Sequence, residues 1–234
     1  GAPVEADLRN GQKFKGIPLP YLAQRATRFE VWTDGKSQTP EARDGDRPAF
    51  HFEPAEGLNV LVYEAAPSTI TYKTWDIFAN FVAHKNFGDI ANLHKARGLP
   101  EEKFRETYTR YCKALIGVGS GQGADKNVGL LTEFIAITNP YDATFNSEMQ
   151  VDLYYNGAPR PEVQVEVYER NADKEVTVTK IKTDANGRAR FAVKPNHSYM
   201  VDAVVLREPN AEVMAETDAV WQSLWASMTF AVPQ

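Results

Sequence analysis

His51 and Glu53 are the two residues of this sequence whose types and spacing best suit metal binding. Side chains two positions apart on a β-strand point to the same side, so this imidazole and carboxylate could share one ion. Phe50 and Phe52 would then point together to the opposite, apolar side. The alternative is an ordinary solvent-exposed strand face, since two ligands alone do not make a transition-metal site. The pair is the candidate metal site.

The other candidates for chemistry are two histidines and the single cysteine. His84 and His94 fall in different predicted helices, so only tertiary folding could bring them together, and the simpler interpretation is two surface histidines. Cys112 lies in an apolar stripe with no neighbouring base, which predicts a buried, inert thiol. We expect a thiol reagent to label it slowly in the native protein. With one cysteine, no intramolecular disulfide can form.

No familiar catalytic motif is present. The sequence has neither a Gly-x-Ser-x-Gly elbow nor a His-Glu-x-x-His zinc motif, and the spacing of its acidic residues does not support a glycosidase pair. The glycine run at 117–123 lacks a glycine at position 122 and a following Gly-Lys-Ser/Thr, so it predicts a surface connection rather than a nucleotide loop. We therefore predict a protein that is not an enzyme, with no evident cofactor.

Trp221 and Trp225 form a second candidate site, a surface for a ligand or partner. With Leu224 and Met228 they fit helical spacing, although a strand pattern fits from Ala226 onward. One interpretation is packing, in which the indoles seal the C-terminal sandwich or its contact with the helical bridge. The other is an aromatic binding surface, because tryptophan offers a large contact area with a polar handle.

Short runs with an apolar residue at every second position dominate the chain. They occur at residues 28–32, 48–53, 59–63, 68–72, 151–153, 163–167, 189–193, 199–205 and 226–232. One buried face per strand indicates packed antiparallel sheets. We predict a mostly β fold of two antiparallel β-sandwich domains joined by a short helical segment, with an N-terminal sandwich at 1–73, a helical bridge and glycine-rich loop at 74–130, and an immunoglobulin-like sandwich at 131–234. A fragment starting near Thr138 is expected to fold alone.

Three short helices are predicted within the bridge. The first begins after Thr74, and the second ends at Gly98. A third is predicted from Pro100, because Phe104, Tyr108, Tyr111 and Leu115 recur at helical spacing. Helices this short need a sheet to pack on.

Composition and charge narrow the function classes. The chain has 234 residues, of which 43% are hydrophobic and 24% charged, which indicates a folded protein. A net charge of −5 argues against nucleic acid as a partner, and no apolar run is long enough to predict membrane insertion. No signal peptide is visible, and Gly1-Ala2-Pro3 runs directly into a strand pattern, so we expect a processed chain.

Several segments resemble a bacterial family of periplasmic proteins similar to the NikM subunit of a nickel-transport complex. The resembling stretches are residues 10–16, 78–89, 105–115, 133–141 and 221–230. The most specific is 105–115, and the residues that match the family motifs are Glu106, Tyr108, Tyr111, Lys113, Asn139 and Pro140. The C-terminal part separately resembles transthyretin-like, carboxypeptidase-regulatory sandwiches at 156–159, 183–187 and Tyr199.

The resemblance implies an exported, periplasmic binding or accessory protein of nickel uptake, with a membrane transporter or another envelope protein as partner. It also implies Ni(II) as the ligand to test. Family members carry a His- and aromatic-containing segment before the first strand, and this sequence begins after that point. We therefore expect weak Ni(II) binding, tightened at least about tenfold by that segment. The alternative function is a structural or adhesive sandwich module that binds a protein or glycan through its aromatic surface.

Overall fold

A computed structural model describes residues 2–234, so the predicted processing at Gly1 lies outside the described residues. Strands predominate, as the alternating runs predict. The strands are β1 Val4–Ala6, β2 Leu8–Gln12, β3 Lys15–Leu19, β4 Ala26–Thr33, β5 Lys36–Gln38, β6 Phe50–Phe52, β7 Gly57–Ala65, β8 Ser68–Tyr72, β9 Phe104–Val118, β10 Thr132–Ala136, β11 Glu148–Tyr155, β12 Ala158–Pro159, β13 Gln164–Arg170, β14 Val176–Lys182, β15 Arg188–Ala192, β16 Ser198–Arg207 and β17 Trp221–Ala231. The helices are α1 Trp75–Lys85, α2 Ile90–Ala96 and α3 Ala211–Thr217, with a 3-10 turn at Ala23–Arg25.

The main sheet has nine strands in the order β14-β13-β16-β17-β9-β7-β4-β5, and β8 also pairs with β9. Strand β9 is the centre of this sheet. One of its edges pairs in parallel with β17, and the other pairs antiparallel with β8 and then with β7. The two halves of the chain are therefore hydrogen-bonded into one sheet through β9.

A smaller sheet of β10, β11, β12 and β15 packs on one face of the main sheet. Both halves of the chain contribute to the core between them, which includes Val60, Val62, Tyr111, Leu115, Phe134, Met149, Leu153, Val201, Leu224 and Met228. The predicted mostly β, sandwich-type fold is confirmed. The predicted domain boundaries at 73 and 130 stay a prediction. Both predicted sandwiches contribute strands to the main sheet and side chains to the core between the sheets.

The opposite face of the main sheet is covered at two places. Near one end of β9, helices α1 and α2 pack through Phe78 and Ile90 on Phe104 and Trp221. Near the other end, a separate cluster contains Phe50 and Phe52 of β6, with partly buried residues of β1 and β9 packed against it. No helix among residues 2–234 is both long and apolar enough to cross a bilayer.

The predicted third helix was wrong, because residues 104–118 form β9. Side chains of β9 alternate between the two faces: Tyr111 and Leu115 enter the core between the sheets, whereas Phe104 and Ile116 point the other way. The second face is covered only near the two ends of β9, and polar residues occur on both faces, so the apolar alternation that makes strands easy to recognise is interrupted. The stretch around Trp221 and Trp225, for which helix and strand were alternatives, is β17.

Candidate functional site

An open cleft of about 830 Å³ lies between the β1–β6 pair and the segment 38–48. His51 and Glu53, the predicted metal pair, both line it, together with Glu5. The His51 side chain is 60% exposed, and its Nδ1 lies 3.4 Å from Glu5 Oε1. The cleft therefore combines the predicted pair with a third candidate ligand from β1.

The local fold explains why these polar groups meet. Strands β1 and β6 pair antiparallel with Glu5 opposite His51. Phe50 and Phe52 are buried on the other side of β6, and the Phe50 ring stacks on Phe29 at a centroid distance of 4.0 Å. Because side chains alternate along the strand, burial of the two phenylalanines turns His51 toward solvent.

Charge makes the cleft suitable for a cation. Its lining carboxylates are Glu5, Glu41, Asp46 and Glu53, and its lining arginines are Arg43 and Arg47. Four carboxylates against two arginines leave an excess of negative charge. Within residues 2–234, however, no group of three His, Cys, Asp or Glu side chains is arranged to hold a metal ion. The cleft thus offers scattered donors rather than a preformed metal site.

The family-motif residue Lys113 lies in the interior and not in the cleft. Its Nζ is 2.7 Å from Asp125 Oδ1 and 3.5 Å from Glu133 Oε2, and all three side chains are almost fully buried. Asp125 also accepts the backbone N–H of Ala136 at 2.8 Å. This network fixes the segment before β10 against β9, which is a structural role.

Glu106, a second motif residue, is buried between β8 and β17. Tyr72 donates its hydroxyl proton to Glu106 Oε2 at 2.7 Å, and Ser223 donates to Oε1. Burial raises the pKa of Glu106, although the hydrogen bonds from Ser223 and Tyr72 act in the opposite direction. Both hydrogen-bonding partners of this carboxyl are neutral hydroxyls.

The remaining motif residues also support the fold. Tyr111 is buried in the core, and burial raises its pKa to about 12. Asn139 donates its amide N–H groups to the carbonyls of Gly121 and Gly123, at 2.8 and 3.0 Å, and so holds the glycine run in place. Pro140 is buried next to it, and Tyr108 is half-buried on β9.

Trp221 and Trp225 have different environments. Trp221 is fully buried, so it cannot form part of an exposed aromatic surface, and the packing interpretation is correct for it. Its Nε1 donates to Nδ1 of His94 at 3.0 Å. His94 is itself 2% exposed, so its prediction as a surface histidine was wrong. Trp225 is half-buried and stacks on Phe81 at 5.5 Å, and its role as a binding surface stays a prediction.

A buried charged cluster joins the end of α1 to the main sheet, and sequence reasoning missed it. Lys85 Nζ lies 2.9 Å from Glu166 Oε2 and also contacts Asp202. Burial alone would raise the pKa of Glu166, but hydrogen bonds from Tyr168 and Lys85 outweigh it and lower the pKa. Burial raises the pKa of Asp202, with Lys85 opposing. The sequence does contain a signal for this cluster, because Glu166 is a glutamate within a valine-rich strand.

His84, also at the end of α1, joins this cluster. Its Nε2 lies 2.7 Å from Glu166 Oε1, while more than half of the imidazole remains exposed. The interpretation of His84 as a surface histidine therefore describes its exposure but omits its contact with Glu166. His84 and His94 do not converge on a shared ligand site in the described part of the chain.

A family model described as Domain of unknown function (DUF4198) matches residues 1–207. None of the curated proteins and none of the solved structures compared with this chain matches it.

Proposed function

The chain belongs to the DUF4198 family, whose function is unknown, and we propose that it is a non-enzymatic binding or accessory protein for the uptake of a transition-metal cation. The observation that carries the proposal is the acidic cleft, in which His51 lies 3.4 Å from Glu5 and Glu53 lines the same wall. Ni(II) is the first candidate cargo, because of the resemblance to NikM-like proteins. Imidazole and carboxylate are both accepted ligands of this ion.

The cleft suits loose capture of a cation. An open, solvent-exposed wall that supplies one imidazole and nearby carboxylates gives few simultaneous bonds to the metal. We therefore expect a dissociation constant of about 1 mM for Ni(II), the value of a single good contact. Weak binding fits a protein that collects a cation and passes it to a partner.

The cellular setting is part of the same proposal. We propose that the protein is exported to the periplasm and acts beside a membrane transporter or another envelope protein. The resemblance of residues 105–115 and 133–141 to the NikM-like family supports this setting. The resemblance of residues 156–159 and 183–187 to transthyretin-like sandwiches supports a binding rather than a catalytic role.

Calorimetric titration of the full chain with Ni(II) tests the proposal. His51→Ala and Glu53→Gln should each weaken binding at least about tenfold, or roughly 1.4 kcal/mol. His84→Ala is the matched control, because His84 is also an exposed histidine but lies outside the cleft. Equal binding by wild type and His51→Ala would exclude the cleft as the site, and absence of any Ni(II) binding would remove metal uptake as the function.

A structural or adhesive module is the second candidate, and the surroundings of Trp225 favour it. The guanidinium carbon of Arg110 lies 5.1 Å from the Trp225 ring and 5.4 Å from the Tyr108 ring. Such mixed aromatic and cationic surfaces bind proteins and glycans. Titration with a panel of soluble glycans should then change the tryptophan fluorescence of wild type and not of Trp225→Phe; no change with any of them would argue against glycan recognition.

A further inference from the structure

Arg160 is a partly buried cation with an unsatisfied donor. Its Nη2 donates to the carbonyl of Val204 at 2.9 Å, but its Nη1 is shielded from solvent and has no hydrogen-bond partner in the described part of the chain. Burial lowers the pKa of Arg160 to about 10, with a small opposing effect of Tyr155. A buried donor on a charged group costs free energy unless an acceptor reaches it.

A second arginine is in direct contact with Tyr155. Arg207 donates from Nη1 to the Tyr155 hydroxyl at 2.7 Å and from Nε to Gln222 Oε1 at 2.8 Å. Among residues 2–234, neither Arg160 nor Arg207 has a carboxylate within 4.0 Å. All acceptors of these two guanidinium groups, a carbonyl, a phenol and an amide, are neutral.

Three other arginines of the protein show the contrast. Arg28 pairs with Glu30 at 2.7 Å, Arg188 with Asp152 at 2.6 Å and Arg190 with Asp184 at 2.7 Å. The chain has a net negative charge, yet Arg160 and Arg207 have no carboxylate within 4.0 Å in the described part of the chain. Uncompensated positive charge in a partly buried place attracts a compact anion.

We propose that Arg160, Tyr155 and Arg207 form a binding site for a small oxyanion, a carboxylate or a phosphate group. The guanidinium fork matches the two oxygens of such a group, and one of them would accept the free N–H of Arg160. Tyr155 is half-buried, and two contacts place Arg160 near the other two residues. Arg160 donates its backbone N–H to the carbonyl of Leu153, two residues before Tyr155, and its Nη2 to the carbonyl of Val204, on the strand that ends at Arg207. The site is separate from the cleft at His51 and does not depend on nickel binding.

Arginine Nε–H signals in nitrogen-15 NMR spectra of the full chain test the site directly. Inorganic phosphate and sodium acetate are titrated separately, with chloride keeping the ionic strength constant. The expected result is a saturable shift of the Arg160 and Arg207 signals, with the other arginine signals unchanged. Saturation with phosphate alone identifies a tetrahedral oxyanion, saturation with acetate alone identifies a carboxylate, and saturation with neither overturns the proposal.

Two variants complete the test. Arg207→Gln should raise the apparent dissociation constant at least about tenfold, while Arg190→Gln, which alters an exposed arginine of β15, should leave it unchanged. If Arg207→Gln does not fold, Arg207→Lys keeps the charge without the fork and should also weaken binding. Equal shifts in all arginine signals, or unchanged affinity in the folded Arg207 variant, would show an adventitious ion only and overturn the proposal.

Discussion

Lys113 Nζ lies 2.7 Å from Asp125 Oδ1 inside the sandwich, where the two side chains are 1% and 0% exposed. The same ammonium group donates to the carbonyl of Lys126 at 3.0 Å. Glu133, its second acid, accepts the backbone N–H groups of Val128 and Gly129 at 3.2 and 3.1 Å. One lysine on β9 thereby organises the entire segment that leads into β10.

Replacing Lys113 by methionine should strongly destabilise the fold. The substitution keeps most of the side-chain volume but leaves two buried carboxylates without a cation, so we expect the free energy of unfolding to fall by about 3–5 kcal/mol. Urea unfolding measures the change. Lys126→Met is the control, since that side chain is exposed and its substitution should stay within about 0.5 kcal/mol. Similar values for the two variants would contradict the role of the buried ion pair.

The pH dependence of stability should differ in sign between Glu106 and Glu166. Burial raises the pKa of Glu106 in the folded state, so its stabilising contribution is complete below the pKa of an unfolded glutamate, about 4, and is lost as the pH rises through the folded-state pKa. For Glu166, hydrogen bonds from Tyr168 and Lys85 overcome burial and lower the pKa. Its contribution is present above the unfolded-state pKa and is lost as the pH falls through the folded-state pKa.

Single substitutions separate the two effects. With Glu106→Gln, the stability of the wild type relative to the variant should decrease as the pH rises from about 4 toward neutrality. With Glu166→Gln, the stability of the wild type relative to the variant should increase as the pH rises from acid to neutral. Chemical unfolding at a series of pH values gives both curves, and each variant serves as the other's control. Parallel curves would mean that at least one of the two carboxyl groups does not titrate as its surroundings indicate.

The alternating strands were predictable because one face of each is apolar, whereas β9 was not. Glu106 and Lys113 occupy buried positions of β9, where their partners are a tyrosine, a serine and two acids from distant parts of the chain. These polar residues interrupt the hydrophobic alternation along β9. The large apolar residues that remain, such as Phe104, Tyr111 and Leu115, then fit helical spacing.

The candidate site was predictable only within a single strand. Alternation predicted that His51 and Glu53 point away from Phe50. The buried Phe50 agrees with this for His51, whereas Glu53 follows the end of β6 and lines the same cleft. Glu5 could not be foreseen as their neighbour, because the pairing of β1 with β6 depends on tertiary structure. Tertiary structure likewise connects Arg160 with the strand of Arg207, because Arg160 donates to the carbonyl of Val204 on β16, and no local spacing encodes this contact.

The reactivity of Cys112 tests how well β9, which was predicted as a helix, is protected in the native protein. Cys112 is a half-buried residue of β9, not a helical one, and burial raises the pKa of its thiol despite a hydrogen bond with Ser227 and the nearby charge of Arg110. We expect a thiol reagent to label it at neutral pH at least about tenfold more slowly in the native protein than in denaturant, because only the thiolate reacts. Equal rates would show that the centre of the sheet opens readily.

The last prediction concerns the C-terminal part alone. The sequence pattern favours independent folding of a fragment that starts at Thr138, but this fragment would lack both β9 and β10. Strand β17 would lose its parallel partner along residues 221–229, and β11 would lose its antiparallel partner β10. The core would also lose Tyr111, Leu115 and Phe134. We therefore expect poorly dispersed amide NMR signals from residues 138–234, and the intact chain is the control. A well-dispersed spectrum would instead establish the C-terminal sandwich as a separate domain and make the pairing of β17 with β9 an interface between two domains.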